Sequence, residues 1–363
     1  MRCGRERGAI VSDAIVTARR GPVGEIVIDR PRALNALDLP MFAAMAEALA
    51  SWHDAPAVRA VVVRGAGGSF SAGGDIRAVR SAALAGDDAY LARMYYEEYR
   101  LNAQIARYPK PYVAAIDGYC MGGGLGVAVH GTFRAVSERA VLAMPETGIG
   151  FFPDVGMSHI LPRLPDRLGW YAGLTGYRFS AADALACGLA THQLDDEVLA
   201  DVESLVADDP DEDAIAMRLR VLAAPHGRSV LDAHREAIAR CFEAETLLGV
   251  FAALEAEETP WAAETLAALR RASPTSLAIT FELFRRGAEL SLEQCLETEY
   301  QLAVRVCRTP EFHEGVRAMV IDKDRAPKWN PARAEDVRHA DLDALWRDID
   351  VSRDQLGLIS MPP

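Results

Sequence analysis

Asp117-Gly118-Tyr119-Cys120-Met121-Gly122-Gly123-Gly124-Leu125-Gly126, directly behind the apolar run at residues 112–116, is the stretch on which the fold turns. The run before it reads as a buried strand. The glycines lead into an apolar helical stretch at residues 125–130. Such a junction leaves unpaired N–H donors at a helix N-terminus, where the partial positive charge favours an anion. A second glycine-rich loop, at residues 67–77, follows another β-branched run at residues 60–63 in the same way. Either loop alone is compatible with a plain turn; two of them, each behind a buried strand, suggest a binding site.

Working outward, residues 25–28 and 133–136 are further apolar β-branched runs. Met41, Met45, Leu49 and Trp52 fall on one helical face, with Pro40 near the helix start. A helix rich in Tyr and Glu from about residue 88 to 108 stops before Pro109 and Pro111. Alternating strands and helices imply an α/β core. From about residue 195 the texture changes to an acidic stretch, read as a solvated helix pair or loop, followed by helices only. The expected division is an α/β region over residues 1–190 and a mainly helical region over 191–363.

The loop at 67–77 is no P-loop, because no Gly-Lys-Ser/Thr follows the glycines, and it lacks the spacing of a dinucleotide fingerprint. Ser69-Phe70-Ser71-Ala72-Gly73 misses the G-x-S-x-G nucleophile elbow by its first glycine, which leaves a serine hydrolase as a remote alternative. A third segment, Met144-Pro145-Glu146-Thr147-Gly148-Ile149-Gly150-Phe151-Phe152-Pro153-Asp154-Val155-Gly156, holds two carboxylates among glycine and apolar groups. Burial raises a carboxyl pKa and suits it to base, acid or nucleophile work near neutrality. Spacing alone allows Glu146 and Asp154 to be turn or cap residues equally well.

The chain has 363 residues, half of them hydrophobic, with a formal net charge of −13, which argues against nonspecific nucleic-acid binding. Its six cysteines show no CxxC spacing, and reduced thiols in a cytoplasm fit them better than a disulfide framework. No apolar run approaches the roughly 20 residues that span a membrane. The opening MRCGRERGAIVSDA lacks an apolar core and does not read as a secretory signal. His130, His159 and His192 have no metal-ligand spacing and read as structural.

Taken together, residues 30–37, 70–77, 110–126, 145–156 and 174–188 resemble the enoyl-CoA hydratase/isomerase (crotonase) superfamily in order and spacing. The resemblance implies a crotonase-like spiral of ββα units with a helical C-terminal region, and an oxyanion hole from the N–H groups of Gly74 and Gly123. It implies CoA contacts around Arg32, Ala33 and Leu34 and around Ala72, Gly74, Asp75, Ile76 and Arg77. Hydratases of the superfamily carry two catalytic glutamates. One aligns with Glu146; the other position is Gly126 here. Met-Pro-Glu-Thr, Phe-Pro-Asp-Val-Gly and Leu161-Pro162-Arg163-Leu164 instead resemble the 3-hydroxyisobutyryl-CoA hydrolase branch. So do Glu97-Glu98-Tyr99-Arg100 and the motifs near residues 312–331.

That branch implies thioester hydrolysis in valine catabolism, with Glu146 and Asp154 catalytic and Glu98 in the substrate pocket. CoA then belongs to the substrate, and no metal or other cofactor is implied. The superfamily often trimerises, so a homo-oligomer is expected unless the helical extension covers that interface. A hydratase or isomerase using Glu146 alone, or a noncatalytic acyl-CoA-binding or assembly protein, are the alternatives.

Overall fold

The computed structural model describes residues 6–7 and 12–358. Cys3 and most of the opening segment, read above as a thiol and as no signal peptide, lie outside the described residues.

Among the described residues, ten strands form two sheets. The larger is seven-stranded, in the order β1-β2-β3-β4-β5-β7-β10, and the smaller is β6-β8-β9. Here β1 is Glu6–Arg7, β2 Ile15–Arg20, β3 Val23–Ile28, β4 Ala60–Gly65 and β5 Tyr112–Ile116. Then come β6 Tyr119–Met121, β7 Phe133–Val136, β8 Val141–Ala143, β9 Arg178–Ser180 and β10 His192–Gln193. After the β2–β3 hairpin every pairing in the large sheet is parallel, with Val23 opposite Ala60, Val61 opposite Tyr112 and Val113 opposite Phe133. Two successive units each place one strand in the large sheet and the next in the small one, β5 then β6 and β7 then β8. This is the ββα spiral implied by the sequence.

The two-residue period of the strands divides the core in two. On β4 and β5, Val61, Val63, Tyr112, Ala114 and Ile116 face the main core. Ala60, Val62, Val113 and Ala115 face a smaller one closed by Leu199, Val202, Val206, Ile215 and Leu219. Strands buried on both faces explain why these runs are continuously apolar rather than alternating. The acidic stretch is therefore a set of short helices, Asp196–Ala200, Val202–Asp208 and Glu212–Val221, whose apolar residues cap the back of the sheet.

The texture change near residue 190 does not coincide with a break in the core. β10 adds a strand to the large sheet beyond it. One apolar cluster contains Phe151 and Phe152 from one side and Leu296, Leu302 and Phe312 from the other. The helix Leu292–Val306 packs along Asp88–Ala106, and Arg107 bridges to Glu293 at 2.8 Å. The helical region is thus built into the wall behind the site rather than set apart from it.

Candidate active site

The loop after β4 lies edge to edge with β6, the strand that leads into the second glycine run. Ser71 gives its N–H to Tyr119 O, and Met121 gives its N–H to Ser71 O, both at 2.9 Å. On its other side the first loop bridges to Leu37, which donates to Gly73 O and accepts from Asp75 N–H. A parallel bridge of this kind uses the groups of the flanking residues, so the Gly74 N–H points away from Leu37. Gly123 opens the helix Gly123–Val129, where an N–H has no intrahelical acceptor. A Cβ on Gly123 would lie 3.2 Å from Gly74 N, so the two backbones are in near contact.

Two carboxylates press on this glycine backbone. A Cβ on Gly122 would meet Glu146 Oε1 at 2.6 Å, and one on Gly123 would meet Glu98 Oε1 at 2.4 Å. Gly122 also has φ +49, a conformation that favours glycine. The glycine run therefore serves less as a hinge than as the space in which two acid side chains lie. Glu146 opens a short 3-10 turn, Glu146–Ile149, and Glu98 comes from the middle of the helix Asp88–Ala106. Ala72, Gly74, Glu98, Gly123, Glu146 and Asp154 border one cavity of about 180 Å³, whose wall is completed by Ile76 and aromatic side chains.

Asp154 stands at the end of the Phe-Pro-Asp segment and accepts a hydrogen bond from the Tyr99 hydroxyl at 2.7 Å. The next residue, Val155, has φ +53, a conformation that costs a β-branched residue of order 1–3 kcal/mol. Outside contacts hold this turn. His130 Nε2 lies 2.8 Å from Val155 O, and burial pushes the His130 pKa down to about 4, so the neutral ring donates there. Glu299 accepts from Gly156 N–H at 2.7 Å, from Ser158 N–H at 3.1 Å and from the Ser158 hydroxyl.

Glu98, Glu146, Asp154 and Glu299 are all buried. Burial lifts Glu146 well above the usual carboxylate range, and the neighbouring Asp154 adds to it. Burial does the same to Glu98, reinforced by Asp154, Glu146 and Glu299. Asp154 is raised to about 7 by burial, with the Tyr99 hydrogen bond opposing the rise. Glu299 is raised to about 8 by burial against the pull of its donors. The causes that dominate these shifts include no guanidinium or ammonium. Such a cluster holds protons near neutrality, the state required of a group that must both take and return one. Glu146 borders the cavity, and its Oε2 is buried without a hydrogen-bond partner among the described residues.

A family model described as enoyl-CoA hydratase/isomerase matches residues 23–346. The chain belongs to this family. Among curated relatives of this enoyl-CoA hydratase/isomerase family member is the mitochondrial 3-hydroxyisobutyryl-CoA hydrolase of Rattus norvegicus. It is 40% identical over 346 residues, covering 92% of this chain and 89% of the relative. The Homo sapiens protein of the same name is 39% identical over 350 residues, covering 93% and 89%. Among solved structures, a carnitinyl-CoA dehydratase from Mycobacterium thermoresistibile superposes with a TM-score of 0.87 at 39% identity, covering 93% of this chain and 98% of that one. An enoyl-CoA hydratase from Rhodobacter sphaeroides does so at 0.83 and 37%, covering 92% and 97%. The cytoplasmic setting expected from the thiols gains no support, since both curated relatives are named as mitochondrial proteins. No helix among the described residues is long and apolar enough to cross a membrane.

This family member has no room for a second hydratase-type glutamate. A Cβ on Gly126 would meet Val155 Cβ at 2.7 Å and Asn102 Nδ2 at 2.8 Å. Of the remaining residues singled out in the sequence, Arg32, Ala33 and Leu34 form an exposed turn outside the cavity, tied to the first loop by Ala72 N–H donating to Leu34 O at 2.9 Å. Asp75 caps the helix Ile76–Ala85 and pairs with Arg30 at 2.9 Å, so its carboxylate is already engaged. Arg77 donates to the carbonyl of Val320, a residue of the cavity wall. His159 bonds to Leu290 O at 3.1 Å and does not border the cavity. Sequence reasoning passed over Tyr99, Glu299 and the part played by His130. Glu299 had a legible signal: an acid on the same helix face as Cys295, Leu296 and Leu302 is out of place unless it is paired.

Proposed function

We propose that this protein hydrolyses a short-chain 3-hydroxyacyl-CoA thioester, with 3-hydroxyisobutyryl-CoA as the substrate to try first. The observation that carries the reading is that Glu146 and Asp154 border one cavity, while the space at Gly126 is taken by Val155 and Asn102. Hydration of an enoyl-CoA by two glutamates needs an acid at that place. The names of the curated relatives support the same choice.

In this reading the thioester oxygen lies between the N–H groups of Gly74 and Gly123, which stabilise the tetrahedral oxyanion. A donor of this kind is typically worth about 3 kcal/mol of barrier. Glu146 either attacks the acyl carbon to give a mixed anhydride and free CoA thiol, which water then cleaves, or takes a proton from a water that attacks directly. Asp154 binds the 3-hydroxyl or carries the proton, and Glu98 lines the acyl pocket. The CoA chain would leave past Ile76 towards the turn at Arg32–Leu34 and the segment at Asp75 and Arg77. No cofactor is needed, because CoA enters and leaves as part of the substrate. A place in valine breakdown and assembly as a homo-oligomer belong to the same proposal.

Supplying 3-hydroxyisobutyryl-CoA and crotonyl-CoA separately tests it. Release of free thiol from the first, without loss of enoyl absorbance from the second, is the expected result. Loss of enoyl absorbance with no thiol release would favour a hydratase or isomerase. Neither signal would leave a noncatalytic acyl-CoA binder. Label from 18O-water found in the enzyme after one turnover would point to the anhydride route.

A further inference from the structure

The helix Leu292–Val306 lies outside the segments that supply the cavity's reacting groups, yet it sends one buried acid, Glu299, against the back of the turn that carries Asp154. Three donors converge on that carboxylate, and all come from residues two and four places after Asp154. Gly156 N–H addresses Oε2, while Ser158 N–H and Ser158 Oγ–H address Oε1. The peptide between Asp154 and these donors passes through Val155 at φ +53, and His130 Nε2 holds its carbonyl. Left to itself, a valine does not stay in that conformation. The turn is over-determined from two sides by side chains that do not border the cavity.

The geometry points to Glu299 as a positioning residue for the reaction: by gripping the Val155–Ser158 turn from behind, it fixes the direction in which the Asp154 carboxyl meets the substrate. The inference rests on the role proposed for Asp154. It also gives the helical half a task, since that half then supplies the support that makes Asp154 usable.

Glu299 is suited to the grip by its two oxygens, one on Gly156 and the other on Ser158. The Gly156 and Ser158 peptide N–H groups can only donate, whereas the Ser158 hydroxyl can donate to the anion or accept from the acid, so the carboxyl keeps all three contacts in either charge state. Burial works against the anion and brings the group to about 8. The groups facing this pair are Tyr99, Glu98 and Tyr95 from the helix Asp88–Ala106, Glu146 from its 3-10 turn, Ser158 beyond the turn, and Cys295 from Glu299's own helix. None of these brings a positive charge; the Arg163 guanidinium acts on Cys295 and not among the main causes of the Glu299 shift, and His130 is neutral near pH 7. The grip is therefore built from neutral donors alone.

The test compares Glu299→Gln, Asp154→Asn and the double variant in the thiol-release assay, with circular dichroism and melting to show that each is folded. Gln keeps the shape but turns an N–H₂ towards one donor. The expected result is a fall in kcat of roughly tenfold to a hundredfold with KM within about twofold, as for a misplaced reacting group. In the Asp154→Asn background the same change should cost less than about twofold, because Glu299 acts through Asp154. Should Glu299→Gln fail to fold, Ser158→Ala removes one donor and is read in the same way. Wild-type kcat in Glu299→Gln, or losses that multiply in the double variant, would overturn the inference. Full activity in Asp154→Asn would instead remove the role of Asp154 on which it rests, and the two failures are thereby distinguishable.

Discussion

The Tyr99 hydroxyl donates to Asp154 Oδ2 at 2.7 Å, and it is the one side-chain donor that Asp154 has among the described residues. A hydrogen bond to the charged form favours that form, so Tyr99 holds the Asp154 pKa below where burial alone would put it. Removing the hydroxyl with Tyr99→Phe should move the Asp154 titration upward. A hydrogen bond to an ionised group is worth about 1.5–3 kcal/mol, which corresponds to roughly one to two pH units. Carboxyl 13C NMR of the wild type and the variant reads the midpoint directly, and an unmoved midpoint would contradict the assignment of this contact as the governing one.

Glu146→Gln should abolish most thioester cleavage whichever chemical route is taken. The amide is neither a nucleophile nor a base, while its shape still fits against Gly122. A positioned acid or base contributes about 10²–10⁴ in rate, and thiol release should fall by at least the lower figure. Binding of the acyl-CoA should persist, because the cavity walls are unchanged; calorimetry with a non-hydrolysable thioether analogue measures that separately. Retention of full activity would remove Glu146 from the chemistry.

Gly126→Glu, which writes the hydratase pattern into this chain, should not create a hydratase. The added Cβ falls 2.7 Å from Val155 Cβ and 2.8 Å from Asn102 Nδ2, so the substitution overpacks the turn before the carboxylate finds a place. Overpacking typically costs about 1–3 kcal/mol. Urea unfolding should show that loss, crotonyl-CoA should remain unhydrated, and thiol release should decline as the Val155 turn is displaced. Appearance of hydratase activity with unchanged stability would show that the space at Gly126 is freer than its neighbours indicate.

Much of the site could be read in the sequence because its parts are local. The runs 112–116 and 133–136 are strands with those bounds. Glycine clusters and the two acids of the 145–156 segment sit in short motifs whose chemistry does not depend on distant neighbours. What escaped notice depends on contacts across the chain. Glu299 is over 140 residues from the turn it grips, and no pattern within its own helix names Gly156 and Ser158 as the partners. The small sheet was missed because its strands, at Tyr119–Met121, Val141–Ala143 and Arg178–Ser180, are three residues each, too short for a two-residue period to register. The acidic helices looked solvated because most of their acids are, Glu203 being buried against Arg20; the apolar residues that cover the sheet are interleaved with them.

The buried acids carry a cost that should appear in the pH dependence of stability. Glu311 is the cleanest case, because it lies outside the cavity: it is buried beneath the 146–150 turn and accepts from the Ser273 hydroxyl. Burial raises it from 4.5 to about 7. A carboxyl whose folded pKa is raised binds its proton more tightly in the folded state. Its contribution is therefore greatest below the unfolded value and is lost as pH rises through the folded one. Between about pH 4.5 and 7 a single such group can remove at most about 1.4 kcal/mol per pH unit. Asp154 and Glu299, at about 7 and 8, act in the same direction and extend the window upward. Urea unfolding from pH 5 to pH 8 should show stability falling, and Glu311→Gln should flatten part of that fall without altering the pH dependence of thiol release. Stability that rises across this range would mean that these acids are ionised and paired in the folded protein.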